Sequence, residues 1–368
     1  MNIECGQDKI IDGIHKAQRI AGKHPTLPVL SCILLEAKKN NTLVIKSTNL
    51  DLGVEVVIPA KVSKEGIVAV PAGIIYSFLS NLTTGGKDIT LETEGTNLIV
   101  KSQHSNGTIK TMSPDEFPSI PRITDGKEFT IHSDEFIKGL KSVWYSASIS
   151  GVKPELSSVY VYQDDGYVIF AATDSFRLAE KKIKLKKPVN FGSILIPFKN
   201  ISEIIRIFDG INSEIAVQFN KNQISFSYSG IYLISRVIDG VFPDYRQIIP
   251  KETKTNIVVL KQDFADAMKI SNIFSDKFNQ IHFKIAPRKN IFEIQTKNND
   301  IGENLQKIDA TATGDDTEMN FNYRYIIDCL QSIETDSVSL DFSGQNRPLI
   351  IRPVADNTFL YLVMPMNR

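Results

Sequence analysis

Apolar and polar residues alternate along much of this chain, as in half-buried strands, and three times the alternation gives way to helical spacing. The three switches fall in 67–79, 193–205 and 318–330. Each reads as a short strand, a break and a helix. The breaks, at Pro71, Pro197 and Asn322, lie 126 and 125 residues apart. A second landmark keeps the same period. Phe117, in Glu116-Phe117-Pro118-Ser119-Ile120-Pro121, stands 125 residues before Phe242, in Val241-Phe242-Pro243-Asp244-Tyr245-Arg246. A period of that size is a domain, so the pattern predicts three similar domains in tandem.

Each third opens with an amphipathic helix. In the first, Ile10, Ile14, Ala17 and Ala21 recur at helical spacing, flanked by Ile11 and Ile20, and Pro25 ends the run. In the second, Ser133 is a candidate N-cap with Asp134 and Glu135 in the first turn, and Phe136, Ile137, Leu140, Val143 and Trp144 form the apolar stripe. In the third, Phe264, Ala267 and Met268 follow Asp263. Strands fill the remainder. Residues 52–58 partly alternate, and 223–228 pairs with 231–235 across the turn signal Ser229-Gly230. Asp165-Gly166 likewise separates 159–162 from 167–171. The sum is an α+β fold of three repeated domains, each with two helices on mostly antiparallel sheets. Candidate linkers near 121–127 and 250–254 divide it into 1–124, 125–251 and 252–368.

Forty-two basic and 42 acidic side chains cancel, which neither favours nor excludes a nucleic-acid partner, because a field depends on where charges sit. Cys5, Cys32 and Cys329 are scattered without metal-ligand spacing and read as reduced, buried thiols. The N-terminus lacks a signal-peptide pattern, and no apolar run reaches the roughly 18–20 residues of a membrane helix. The expectation is a soluble cytoplasmic protein. Enzyme signatures are missing: no HExxH, no GxSxG, and five histidines without ligand spacing. Gly85-Gly86-Lys87 lacks the rest of a phosphate loop and reads as a hairpin turn. Asp164-Asp165 and Asp315-Asp316 read as solvated turns, and Asp174 as an acceptor of backbone amides at a turn. No metal or cofactor is expected.

Four segments carry a resemblance to a known family: His24-Pro25-Thr26-Leu27-Pro28-Val29-Leu30, Ala172-Thr173-Asp174-Ser175-Phe176-Arg177-Leu178-Ala179, Phe242-Pro243-Asp244-Tyr245-Arg246, and Tyr361-Leu362-Val363-Met364-Pro365-Met366. In this order on a triplicated chain they resemble the bacterial DNA polymerase III beta subunit, the sliding clamp, over essentially the whole length. The resemblance implies a non-catalytic processivity subunit. It would be a head-to-tail homodimer closing a six-module ring around double-stranded DNA, its helices lining the hole, with no sequence preference and no membrane. The implied partners are the polymerase III catalytic subunit, the clamp loader and other proteins bearing a clamp-binding peptide motif. The alternative is a protein-only adaptor on the same fold that does not encircle DNA.

Carried over residue by residue, the partner-peptide pocket comprises Leu156, Thr173, Ser175, Phe176, Arg177, Leu178, Pro243, Gln247, Ile248, Val363, Met364, Pro365 and Met366. Apolar walls suit leucine and phenylalanine anchors, and methionines adapt to several partners. The DNA channel would use helix cations off the apolar stripes: Lys9, Lys16, Arg19, Lys138, Lys141, Lys199, Arg206, Lys261, Lys269 and Arg324, with His24 where some relatives carry arginine. Departures are also visible. Phe176 stands where histidine is common, Pro154 and Glu155 where aromatics occur, Asn367-Arg368 ends the chain, and Gly107 lies where an aromatic dimer anchor is found.

Overall fold

The computed structural model describes residues 1–22, 26–82, 88–185 and 191–366. The first third runs β1 (Asn2–Gly6), α1 (Gln7–Gln18), β2 (Cys32–Lys38), β3 (Thr42–Thr48), β4 (Leu52–Pro59), β5 (Lys61–Lys64), β6 (Gly66–Pro71), α2 (Ala72–Ser80), β7 (Asp88–Glu94), β8 (Asn97–Lys101) and β9 (Asn106–Lys110). The second follows as β10 (Lys127–His132), α3 (Ser133–Val143), β11 (Ser158–Asp164), β12 (Tyr167–Thr173), β13 (Arg177–Lys184), β14 (Ser193–Pro197), α4 (Phe198–Phe208), β15 (Glu214–Phe219), β16 (Gln223–Tyr228) and β17 (Ile231–Arg236). The third holds β18 (Thr255–Leu260), α5 (Lys261–Ile273), β19 (Gln280–Ala286), β20 (Ile291–Asn298), β21 (Gly302–Lys307), β22 (Ala310–Gly314), β23 (Thr317–Asn322), α6 (Tyr323–Leu330), β24 (Ser337–Phe342), β25 (Leu349–Pro353) and β26 (Phe359–Val363). The strand–helix switches at Pro71, Pro197 and Asn322 are the β6–α2, β14–α4 and β23–α6 junctions.

Two compact units emerge, Met1–Asp134 with Lys199–Val237, and Glu135–Phe198 with Ile238–Arg368. The first contains a five-stranded sheet, β5-β1-β7-β8-β9, and an eight-stranded sheet, β10-β15-β16-β17-β4-β3-β2-β6. The second contains a nine-stranded sheet, β14-β11-β12-β13-β26-β25-β24-β18-β22, and a four-stranded sheet, β21-β20-β19-β23. The long sheets arise because strands of neighbouring thirds pair edge to edge. In the first unit Ile231 lies opposite Val56 and Leu233 opposite Val54, and in the second Arg177 lies opposite Val363 and Leu178 opposite Leu362. The middle third therefore contributes strands to both units.

Each unit is cored by the apolar residues that the periodicities mark. Ile10, Ile14 and Ala17 of α1 are buried, as are Phe136, Ile137, Leu140 and Val143 of α3 and Phe264, Ala267 and Met268 of α5. Two helix glycines set how closely helix meets sheet. A Cβ on Gly13 would lie 2.6 Å from Ile45 Cδ1, and one on Gly139 would lie 2.4 Å from the Phe170 ring. Asp165-Gly166 and Ser229-Gly230 form the expected hairpin turns, all four residues at positive φ. The linker regions 121–126 and 249–254 carry no helix or strand.

Three local expectations change. Ser133 does not cap α3: it lies inside the helix, fully buried, and its hydroxyl donates to Phe208 O at 2.9 Å, where an exposed cap would have turned to its own amides. Helix α1 ends at Gln18, before Ala21, and Trp144 sits in a short 3-10 turn after α3. His24, Pro25 and Gly85-Gly86-Lys87, where a hairpin turn is expected, lie outside the described residues.

Gly-to-Ala within a helix ordinarily gains close to ~1 kcal/mol. At Gly139 the sign reverses, because Phe170 is fully buried and held edge-on by Phe136 at 5.3 Å, and cannot yield. Gly139→Ala is expected to lose about 1–3 kcal/mol of stability, read as a lower urea midpoint; an unchanged or raised midpoint contradicts the packing described.

Candidate functional site

Within the second unit, the pairing of β13 with β26 brings two of the sequence motifs side by side. Between β12 and β13 the chain makes a tight turn. Thr173 Oγ1 donates to Arg177 O at 2.6 Å and accepts from Ser175 N at 3.2 Å. Asp174 Oδ1 accepts from the backbone amides of Phe176 and Arg177, both at 3.0 Å, the amide-satisfying role expected of it. Ser175 adopts φ +78°. Phe176 is thereby turned outward, 61% exposed, while its carbonyl accepts from Met364 N at 2.8 Å. Met366 N in turn donates to Asn320 O of β23 at 2.8 Å. Residues 364–366 are thus stitched between the turn and β23.

Arg177 points the other way. Its side chain is 10% exposed, with Nε on Asp174 Oδ2 at 2.9 Å, Nη1 on Asp328 Oδ2 at 2.7 Å, and the guanidinium 4.6 Å above the Tyr325 ring. Burial opposes its charge, but the surrounding acceptors outweigh burial and hold it more firmly protonated than an ordinary arginine.

The floor beneath is apolar. Leu178 packs in a buried cluster with Ala171, Leu195, Phe242, Tyr245 and Leu362, against which Met364 rests half-buried. Phe242 stacks on Tyr160, centroids 4.8 Å apart and planes 8° from parallel. One wall is the segment carrying Pro243, Gln247 and Ile248, all exposed. Its position is fixed by Tyr245, whose hydroxyl donates to buried Glu180 at 2.5 Å and lies 2.7 Å from the Tyr162 hydroxyl. Burial and the Glu180 carboxylate push the Tyr245 phenol far above its usual range, so it stays a neutral donor. Arg246 completes the chain, donating to Tyr162 Oη at 2.9 Å and to Asp164 at 2.6 Å. Gln247 donates to Asp244 at 2.7 Å. Leu156 is buried, and its neighbour Glu155 faces Gly240, where a Cβ would come within 3.7 Å. Pro365 and Met366 border a cavity of 370 Å³ shared with His282, Asn320, Gln345 and Asn346.

The structure therefore brings together Thr173, Ser175, Phe176, Arg177, Leu178, Val363, Met364, Pro365 and Met366 directly, and places Pro243, Gln247 and Ile248 through Phe242 and Tyr245. Sequence reading passed over Asp328, Tyr325, Asn320, Glu180 and Tyr245. Tyr245 lay inside a quoted motif, and Tyr325 and Asp328 share one face of α6 at three-residue spacing; the others gave no local signal.

Of the described candidate channel cations all but Arg19, which follows the end of α1, lie on helices, and at least five of them meet a carboxylate of the chain. Lys16 pairs with Asp12, Lys138 with Glu334 at 2.6 Å, Lys199 with Asp51 at 2.5 Å, Arg206 with Glu203 at 2.5 Å and Lys269 with Asp266 at 2.9 Å. Lys261 folds back onto Ile333 O at 2.7 Å, and Arg19 donates to His15 at 3.3 Å. Lys9, Lys141 and Arg324 are exposed. His24 lies outside the described residues. At Gly107, on the edge strand β9, the Phe78 ring of α2 occupies the space a side chain would need, 2.6 Å from an added Cβ.

Among the described residues no group of three or more His, Cys, Asp or Glu could hold a metal ion. The three cysteines are buried free thiols, and burial pushes the Cys5 thiol up to about 12. No helix among the described residues is long and apolar enough to cross a membrane.

Comparison with known proteins gives a consistent result across all three thirds. The N-terminal, central and C-terminal domain profiles of the DNA polymerase III beta subunit match residues 1–121, 130–244 and 246–367. The chain is 25% identical to the beta sliding clamp of Staphylococcus epidermidis over an aligned length of 381, covering 100% of this chain and 99% of that protein. It is 26% identical to the beta sliding clamp of Synechococcus elongatus over 374, with the same coverage. Its structure matches the DNA polymerase III beta subunit of Thermotoga maritima with a TM-score of 0.93 at 26% identity, covering 100% of this chain and 99% of that chain. The sliding clamp of Bacillus subtilis has the same fold, with a TM-score of 0.94 at 22% identity and the same coverage. With every domain matched in order, the chain belongs to the DNA polymerase III beta subunit family, the sliding clamps.

Proposed function

We propose that two copies of this chain pair head to tail into a closed ring that encircles duplex DNA and tethers a polymerase through the cleft at Leu178 and Met364. One observation supports this most strongly. By position in the repeat, β9, β17 and β26 are equivalent, and so are β4, β13 and β21. The chain joins β17 to β4 and β26 to β13. The remaining pair, β9 and β21, are both sheet edges among the described residues. An open edge is a row of unpaired amides and carbonyls seeking a strand. A second copy supplies it, since β9 of one chain can take β21 of the other by the rule that the fold already uses twice. Such a contact is heterologous, and when its rotation closes it yields a ring. Exposed apolar residues accompany both edges: Ile301 and Leu305 at β21, and Ile74 on α2 beside β9.

Enclosure then supplies residence time, so the cations need hold DNA only loosely and without reading bases. The domains are taken as 1–124, 125–251 and 252–368, and the chain as having no chemistry of its own. The cleft receives a short motif with leucine and phenylalanine anchors from the polymerase catalytic subunit, the clamp loader and other partners. Leu178 and Phe242 form its floor, Met364 and Ile248 its adaptable walls, and Phe176 makes it more apolar than a histidine would.

The deciding experiment is light scattering combined with retention on DNA. A dimer should stay on nicked circular DNA and slide from the same DNA once linearised; equal loss from both favours the adaptor reading. Replacing Ile301 and Leu305 with lysine should convert the dimer to folded monomers, and an unaltered mass would rule out the β21 edge. Lys138→Glu with Lys141→Glu should reduce loading without changing the dimer, because sequence-independent binding falls with salt by about 0.9 log units per log unit for each phosphate neutralised. An unchanged salt slope would place those lysines elsewhere. Met364→Ala should weaken peptide binding about tenfold while ring retention persists, and equal affinity would count against the cleft.

A further inference from the structure

The turn that presents Phe176 holds a backbone conformation its sequence resists. Ser175 sits at φ +78°, in the left-handed region that suits glycine and disfavours any residue with a Cβ. Asp174 is what spans this strained point. One carboxylate oxygen takes the amides of Phe176 and Arg177, and the other takes Arg177 Nε. Arg177 is itself held from outside the turn, by Asp328 and by the Tyr325 ring, three residues apart on α6 and 151 and 148 positions along the chain.

We infer that Asp328 is a positioning residue for the cleft. By anchoring the buried Arg177 guanidinium it keeps Asp174 on the turn amides, and so keeps Phe176 pointing outward with its carbonyl on Met364 N. This rests on the reading of the cleft as a peptide site. A nearly buried guanidinium needs acceptors on both of its edges, since a desolvated donor without a partner is costly. Asp174 serves one edge and Asp328 the other. Without the Asp328 charge, Arg177 finds its second edge best satisfied by water, and moving toward water draws Asp174 away from the amides. The strain at Ser175 acts in the same direction. Phe176 O and Met364 N then part, and the two sides of the cleft lose their register. Asp328 touches no peptide in this scheme.

The test uses the full chain. Asp328→Asn preserves shape at a half-exposed position and should fold normally. Hydrogen exchange at the Phe176 and Arg177 amides should accelerate. The affinity for a fluorescent peptide bearing leucine and phenylalanine anchors should fall about tenfold, the loss expected of one charge-assisted bond. Adding Ser175→Gly to Asp328→Asn should restore most of that affinity, because glycine accepts the turn without strain. Unchanged affinity in Asp328→Asn overturns the inference. So does a loss that Ser175→Gly leaves uncorrected, which would make Asp328 a general support of the fold. If the wild-type chain takes no such peptide, the cleft reading fails, and the exchange measurement alone then decides whether Asp328 holds the turn.

Discussion

Backbone hydrogen bonding at sheet edges governs this molecule. Each third builds half-sheets whose last strands must find partners for their amides and carbonyls. The chain meets that demand by joining β17 to β4 and β13 to β26. Much else follows from these two seams. The β13–β26 seam lays the turn at Ser175 beside the tail at Met364, so the candidate cleft is a by-product of strand pairing. The same demand, unmet at β9 and β21 among the described residues, is the basis for proposing a second copy.

Around the cleft, rigid and adaptable parts are separated. Beneath it, Phe242 is stacked on Tyr160, and Tyr245 is tied to Glu180 and Tyr162, so the floor and one wall are fixed by aromatic packing and short hydrogen bonds. Above it, Phe176, Ile248 and Met364 are exposed or half-buried. Such a division suits recognition of related but unequal ligands, since a fixed base sets register while flexible side chains reshape the opening.

Much of the fold was legible because alternation and helical spacing are local properties. The Pro71, Pro197 and Asn322 junctions and the buried stripes of α1, α3 and α5 needed no tertiary knowledge. Ser133 was misread because a serine at a helix start looks the same whether it caps or is buried; only the approach of Phe208 O decides. The proximity of the candidate cleft residues was legible where they sit in short motifs, as at Thr173–Leu178 and Val363–Met366. The supports of the cleft were not. Asp328 meets Arg177 across 151 residues, and Glu180 meets Tyr245 across 65, separations at which no spacing rule operates. The candidate channel cations were legible as charges, and the pairs of Lys16 with Asp12, Arg206 with Glu203 and Lys269 with Asp266 follow helical spacing, whereas Lys138 meets Glu334 and Lys199 meets Asp51 across separations that no spacing rule covers.

Under the proposed placement of these cations around DNA, the ion pairs would have a kinetic consequence. An exposed pair is worth only about 0–1 kcal/mol, so Lys138 or Lys199 can leave its acid for a passing phosphate almost without penalty and return to it just as easily. A lone cation would grip each phosphate in turn and make every step along the duplex an escape from a well. A cation with a resident acid trades one oxyanion for another, which flattens the wells. For the proposed ring threaded on DNA, that arrangement would act as a lubricant: friction would fall while the overall attraction remained.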